Sequence, residues 1–596
     1  MRLAAVALLL LAGPALAQPS GSTILAGGGP GGDLGDAIAV APYTGHTAVV
    51  GTFEQTATFG PGVSVTSADA PAARSDAFVV FYAPDGTALW ARRMGTSVFN
   101  DFGGGVALAP SFFAPPNAIY VSGYFTGIAT FDGGANPDAS LTTRNDFDAF
   151  LAAYSFDGDL LWVTQSGGPE QDTGRGLAVS PFGSVIQTGS FTGTAMWGSG
   201  DDAVTRTSAG GSDGFLAMYA PDGRLTSVTT VGGPESDDLR AAAHVSPTLS
   251  FDGLYATGTF RSVAMFGTIP LSSRGQSDVA VIQVRTLNPT GEDPTVLWAS
   301  QIGGNGFDYA RGLAVSDGGQ IAVAGSFENT LLVGTDALTS AGASDAFLAV
   351  LDHRGVALGG HRGGGAGFDI ANAVAATTRI DTPTARGGSD PAFAVSGYLD
   401  GESTFGSTPV AGQGTDAFVA IYLSTLSGAT LSDVFAIGGS GTDRAYGVAI
   451  GAIVDDASPG YDFPMRVTGS FRESVTVGTT TVTSSGDGDV FVATVPLCPT
   501  FTCPVLVAGD ADPTPGVHLN ASPNPSPSRL SLTLASPADA TIEIVDALGR
   551  VVARLHAGPL PAGETSWATP RLSPGAYWLV ARTGGAVHRQ GVTVAR

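Results

Sequence analysis

Lysine is absent from this 596-residue chain: all 27 basic residues are arginine, they face 52 Asp and Glu, and the net charge is −25. So acidic a surface repels nucleic-acid phosphates and anionic lipid headgroups, which excludes both as partners held by charge. The acidity reads first as a solubility adaptation and second as a means of holding divalent cations. Cysteine is nearly absent, with Cys498 and Cys503 in CPTFTC the whole complement. Two cysteines do not make a zinc site. In an exported chain they are expected to pair, and the small loop they close is worth about 2 kcal/mol in the chain-entropy model. Beyond the first residues there is no long apolar run, so no membrane-spanning segment is expected. Capped segments with 3.6-residue periodicity are missing too, which leaves strands to build the fold.

Signatures of catalysis are equally scarce. The G-x-S-x-G spacing occurs at Gly210–Gly214 but leads into a strand-like run, so no nucleophile elbow is read, and there is no HExxH. The seven histidines are scattered; His353 and His361 are near neighbours in a Gly-rich stretch expected to be a surface loop. A GxGxxG match at Gly27–Gly32 precedes no helical pattern, so its context is wrong for a dinucleotide cradle. No catalytic residue and no cofactor are assigned.

Repetition is what the chain has in abundance. RSDAFVVFYAPDG begins at 74, DFDAFLAAYSFDG at 146, GSDGFLAMYAPDG at 211 and ASDAFLAVLDHRG at 343. Three landmarks recur seven times in fixed order. An Asp in a Gly-rich loop comes first: Asp33, Asp101, Asp172, Asp238 (with Asp237 the alternative), Asp308, Asp369 and Asp443. A Gly in a strand-like run follows: Gly51, Gly123, Gly189, Gly258, Gly325, Gly397 and Gly469. A second Asp opens the next apolar run: Asp76, Asp148, Asp213, Asp278, Asp345, Asp416 and Asp489. The glycines span 51 to 469 in six steps, about 70 residues per unit, which marks an array of structural repeats.

Each unit reads as four short strands. Asp85-Gly86, Asp157-Gly158 and Asp222-Gly223 predict tight primed hairpin turns before the fourth. The third strand is apolar on both faces: in AFLAVL, Phe347, Ala349 and Leu351 point one way and Ala346, Leu348 and Val350 the other. A small sheet buried on both faces needs a neighbour on each side, and radial stacking supplies it. The expected fold is therefore an all-β, seven-bladed β-propeller over 18–496. The seventh unit lacks a fourth strand, while STILAGGGPGGD at 22–33 matches fourth-strand ends elsewhere. Residues 22–28 are expected to complete the last blade and remove its free edge.

These repeats, with Trp90, Trp162 and Trp298 in the fourth strands of three units, resemble bacterial SBBP-type β-propeller repeats. The start MRLAAVALLLLAGPALAQ reads as a signal peptide cut after Ala17. Residues 497–520 read as a linker holding the cysteine pair. From 521 to 596, strand-like runs predict a small β-sandwich with a hairpin at 546–550. This tail resembles the type A C-terminal sorting domain of the type IX secretion system. The likeness rests on Pro523-Asn524-Pro525, on IVDALGRVV with Gly549, and on LSPGAYWLVA with Gly575; arginines stand where the family's last strand carries lysines. The resemblance implies export through the type IX machinery, followed by removal of the tail, often with attachment to surface lipopolysaccharide.

The repeated Asp residues Asp33, Asp101, Asp172, Asp308, Asp369 and Asp443 read first as turn pins that accept backbone N–H groups. A calcium ring and a carboxylate pair for glycoside hydrolysis are the other readings. For calcium, Asp487 with Asp489 is the best single pair. The functional expectation is a secreted or cell-surface monomer that binds a glycan, protein or matrix component without catalysis. A polysaccharide-acting enzyme and a structural coat spacer are the alternatives.

Overall fold

The computed structural model describes residues 22–496, other than 42–43, 69, 71–73, 97–99, 110–117, 181–182, 245–252, 286–293, 317, 378, 381–391, 411, 413, 426–427, 452 and 455–463. It also describes 517–594, other than 523–528, 535–536, 547–550, 569–574 and 584–585. The signal segment, Cys498, Cys503, Pro523, Asn524, Pro525 and Gly549 lie outside the described residues. The chain divides into two compact units, Met1–Cys503 and Pro504–Arg596. Among the described residues there is no α-helix, and the strands form a propeller-like repeat array.

The fifth sequence unit shows the pattern. Asp308–Val315 pairs with Ile321–Phe327, that strand with Asp345–Leu351, and that one with Ala357–Gly365, all antiparallel. The third strand is buried along its whole length. Ala346, Leu348 and Val350 enter one core with Phe393 and Phe418 of the following unit. Phe347, Ala349 and Leu351 enter another with Val279 and Val281 of the preceding unit. Each such Leu or Phe contributes roughly 1.5–3 kcal/mol when fully buried, and that burial depends on a neighbouring repeat. The Gly landmark has a steric reason. Gly325 pairs with Phe347, and a Cβ on it would stand 2.8 Å from the Phe347 ring, so the ring lies over bare backbone.

Consecutive units are also joined by hydrogen-bonded ladders. A hairpin between the second and third strands of one unit reaches the fourth strand of the preceding unit, as in Phe131 with Met94, Leu332 with Gly303 and Thr476 with Gly438. The N-terminal strand Thr23–Gly27 pairs with Asp489–Pro496 of the last unit from Thr23↔Thr494 to Gly27↔Val490. Gly28 then bridges Thr58 of the first unit. The pairing expected from the STILAGGG string is therefore present.

Two sequence expectations need correction. The Asp-Gly turns are not two-residue primed turns. Gly86, Gly158 and Gly223 have φ of 89°, 89° and 86°, but the aspartates before them stay at negative φ. The N–H of Ala83 bonds the carbonyl of Thr87 at 2.9 Å, and the register shifts between Phe81 and Tyr82. This is a three-residue loop with a bulge; proline at its first position fixes a φ that a primed turn forbids. His361 is also not in a loop. It lies in Ala357–Gly365, where its ring meets Tyr422 at 5.0 Å and burial holds its pKa below the ordinary value.

In the C-terminal unit, Val517–Ser522, Arg529–Leu534 and Gly563–Ala568 form one antiparallel sheet. Val551–Leu560, Ala538–Asp546, Gly575–Thr583 and Ala586–Val594 form another. Ile542, Ile544 and Leu579 are buried within it.

Candidate functional site

The landmark aspartates are buried and act on the backbone. Gly29 donates its N–H to Asp33 at 2.7 Å, Thr96 to Asp101 at 2.7 Å, Gly168 to Asp172 at 2.6 Å, Gly304 to Asp308 at 2.7 Å, Gly365 to Asp369 at 2.6 Å and Gly439 to Asp443 at 2.9 Å. In the fourth unit the role falls to Asp237, which accepts from Gly233 at 2.6 Å; Asp238 instead bonds Arg240. Each of these aspartates also donates its own N–H to the carbonyl just before the second-set Asp of the preceding unit, as Asp101 does to Ser75 and Asp172 to Phe147 at 2.8 and 2.9 Å. First-set and second-set carboxylates thus meet at each junction. Burial, reinforced by the second carboxylate and opposed by the N–H donors, pushes Asp33, Asp101, Asp172, Asp237, Asp308 and Asp443 up to about 7.

A glycine backbone occupies the gap between paired carboxylates. A Cβ on Gly167 would stand 2.5 Å from Asp148 Oδ1 and 2.8 Å from Asp172 Oδ2, and Gly28 meets Asp489 and Asp33 at the same distances. Asp489 itself accepts the Ser485 N–H at 2.7 Å, while Asp487 is exposed. Among the described residues, no three His, Cys, Asp or Glu side chains gather as a metal ion would require.

Three residues past each landmark Asp, the chain does something different. These positions are Asp36, Gly104, Arg175, Arg240, Arg311, Asn372 and Tyr446. All seven line one cavity of about 220 Å³, joined by Phe102, Gly103 and Tyr124. The local cause is a β-bulge. The pairing of first with second strand slips between Gly35 and Ala37, Gly103 and Gly105, Ala310 and Gly312, Ala371 and Ala373, and Ala445 and Gly447. A wider slip between Gly174 and Leu177 includes Arg175. The extra residue leaves the ladder and its side chain is re-aimed.

The lining is electrically uneven. Arginines from three successive units converge. Arg240 Nε holds Asp238 Oδ2 at 2.6 Å, and that carboxylate keeps its pKa above the ordinary value. Burial, followed by repulsion from Arg240, disfavours the charge on Arg175 and on Arg311. The Nε–H groups of Arg175 and Arg311 are buried with no acceptor. Asp36 has its carboxyl held well above the ordinary range by burial. Phe102 and Tyr124 stack at 4.9 Å beside this charge. Motif searching missed the cluster because no two of its residues are close in sequence. Aligning the units on the landmark Asp exposes it as a single column.

No protein-family profile matches the chain. An uncharacterised WD repeat-containing protein of Acanthamoeba polyphaga mimivirus is 32% identical over 127 residues, which are 20% of this chain and 9% of that relative. The chain thus spans a small fraction of the curated relative it matches. The likeness and the strand repeats agree on a β-propeller-like repeat protein.

Proposed function

We propose that this protein is an exported, seven-bladed β-propeller that works as a non-enzymatic recognition module, with its ligand held at the bulge-lined cavity. The observation that carries this reading is the cavity's composition. Seven equivalent scaffold positions converge there, and they carry Asp, Gly, three Arg, Asn and Tyr. A ring kept for rigidity alone has no need of different chemistry at equivalent points, whereas a recognition site does. The N-terminal strand closes the ring in the last blade, and the C-terminal sheets form a sandwich that serves as the type IX sorting domain. The protein is then secreted or surface-held as a monomer, and its ligand is an extracellular glycan, protein or matrix component. The interaction-module reading agrees with the WD-repeat likeness, which says nothing of ligand.

The test is a binding screen of the full-length protein against polysaccharides and cell-surface extracts, with and without chelator. Saturable binding to one class that is lost in a Tyr446→Ala variant of unchanged melting temperature supports the reading. Binding that ignores every cavity substitution would place recognition elsewhere on the molecule.

A further inference from the structure

We infer that the cavity is an oxyanion site: Arg175, Arg240 and Arg311 hold the acidic group of a ligand the size of one polar sugar ring. The inference rests on the recognition reading above and names the ligand class of the same site. A guanidinium stays protonated at any ordinary pH, so repulsion within the trio cannot be relieved by losing a proton. Asp238 offsets one of the three charges. Among the described residues, neither Arg175 nor Arg311 forms an ion pair, and each leaves a buried Nε–H without an acceptor. Asp36 shares the cavity but forms no ion pair with either of them, and two carboxylates against three guanidinium groups leave an excess of positive charge. A chain of net charge −25 has thus concentrated an excess of positive charge in a half-buried recess, where water screens it less than on the open surface. A bound oxyanion supplies the missing acceptors and the missing charge together, and guanidinium is the group best shaped for carboxylate, sulfate or phosphate.

Size and lining narrow the class. About 220 Å³ exceeds the ~150 Å³ that holds benzene and falls short of the ~300–1,000 Å³ of drug-sized sites. One ring fits. Asn372 and Tyr446 offer hydrogen bonds for hydroxyl groups, and the Phe102–Tyr124 stack offers an apolar face. An acidic sugar residue, free or at a polysaccharide end, meets all three requirements.

Titration calorimetry of the full-length protein with galacturonate, galactose and inorganic sulfate tests this. Galacturonate should bind at least roughly tenfold more tightly than galactose, weaken as salt is raised, and be displaced by sulfate. Arg311→Met should weaken it by about tenfold or more. In the unliganded protein the same substitution should leave the melting temperature unchanged or raise it, because it removes an unpaired buried charge. Equal binding of galactose and galacturonate would overturn the oxyanion assignment while leaving recognition at this cavity intact. Failure of galacturonate and sulfate to bind, with Arg311→Met lowering the melting temperature, would overturn it by making the arginines structural.

Discussion

Two sets of positions in the first strands lie three residues apart and obey opposite rules. At the landmark position the same chemistry recurs in every unit: a buried Asp that accepts one backbone N–H about four residues back and clasps the preceding unit. At the bulge position the residue is not held constant: Asp, Gly, three successive Arg, Asn and Tyr stand there, and all seven positions converge on one cavity. A group needed once per junction must recur with the junction. A group that meets a ligand of no sevenfold symmetry must not. Within a repeat protein, uniformity thus marks the scaffold and variation marks the site.

The largest break in the comparison is made at the scaffold. A chain beginning at residue 32 lacks Thr23–Gly27 and leaves Asp489–Pro496 without its outer partner. Its melting temperature should fall steeply, and amides of 489–496 should lose hydrogen-exchange protection. A melt like the parent's would show that the strand does not tie the array. Next in size, Gly167→Ala places a methyl against Asp148 and Asp172 and should cost about 1–3 kcal/mol by denaturant unfolding. Asp101→Ala leaves the N–H groups of Thr96 and Thr126 without their acceptor and should cost about as much, roughly 1–3 kcal/mol.

A smaller, graded effect is expected from pH. The folded pKa of Asp101 is about 7, set by burial and by Asp76, against about 3.9 in an unfolded chain. Between those values the folded state binds more protons than the unfolded one, so stability falls as pH rises and levels off above the folded pKa. The melting temperature should therefore decline from pH 5 to pH 8, and Asp101→Asn should make that decline shallower by one of the six such contributions. A rise over the same range would mean that the backbone donors, not burial, dominate. The smallest stability effects belong to the cavity, where Arg175→Met and Arg311→Met should change binding and leave unfolding almost untouched.

Much of the scaffold was legible in the sequence because its cause repeats. Phe347 and Leu348 point to opposite cores, and that alternation is written in consecutive residues. The N-terminal strand was legible because its glycines copy those ending other fourth strands. Adjacent aspartates hid the identity of the fourth landmark, since Asp237 and Asp238 differ only in which carboxylate reaches Gly233. The cavity was not legible as a site. Its residues are some 70 positions apart, and the bulge that turns them inward is a slip in strand pairing that composition does not reveal. Once Asp237 is the landmark, the column falls into line with Arg240.

The separation of scaffold from site is tested most directly by measuring melting temperature and galacturonate affinity together for Asp101→Ala and Arg311→Met. Asp101 does not itself line the cavity, so Asp101→Ala removes no cavity-lining side chain. The expected result is that Asp101→Ala lowers the melting temperature and keeps the affinity, while Arg311→Met keeps the melting temperature and loses the affinity. If both variants lose stability and affinity in step, the two sets of positions are one structural system and the account is wrong.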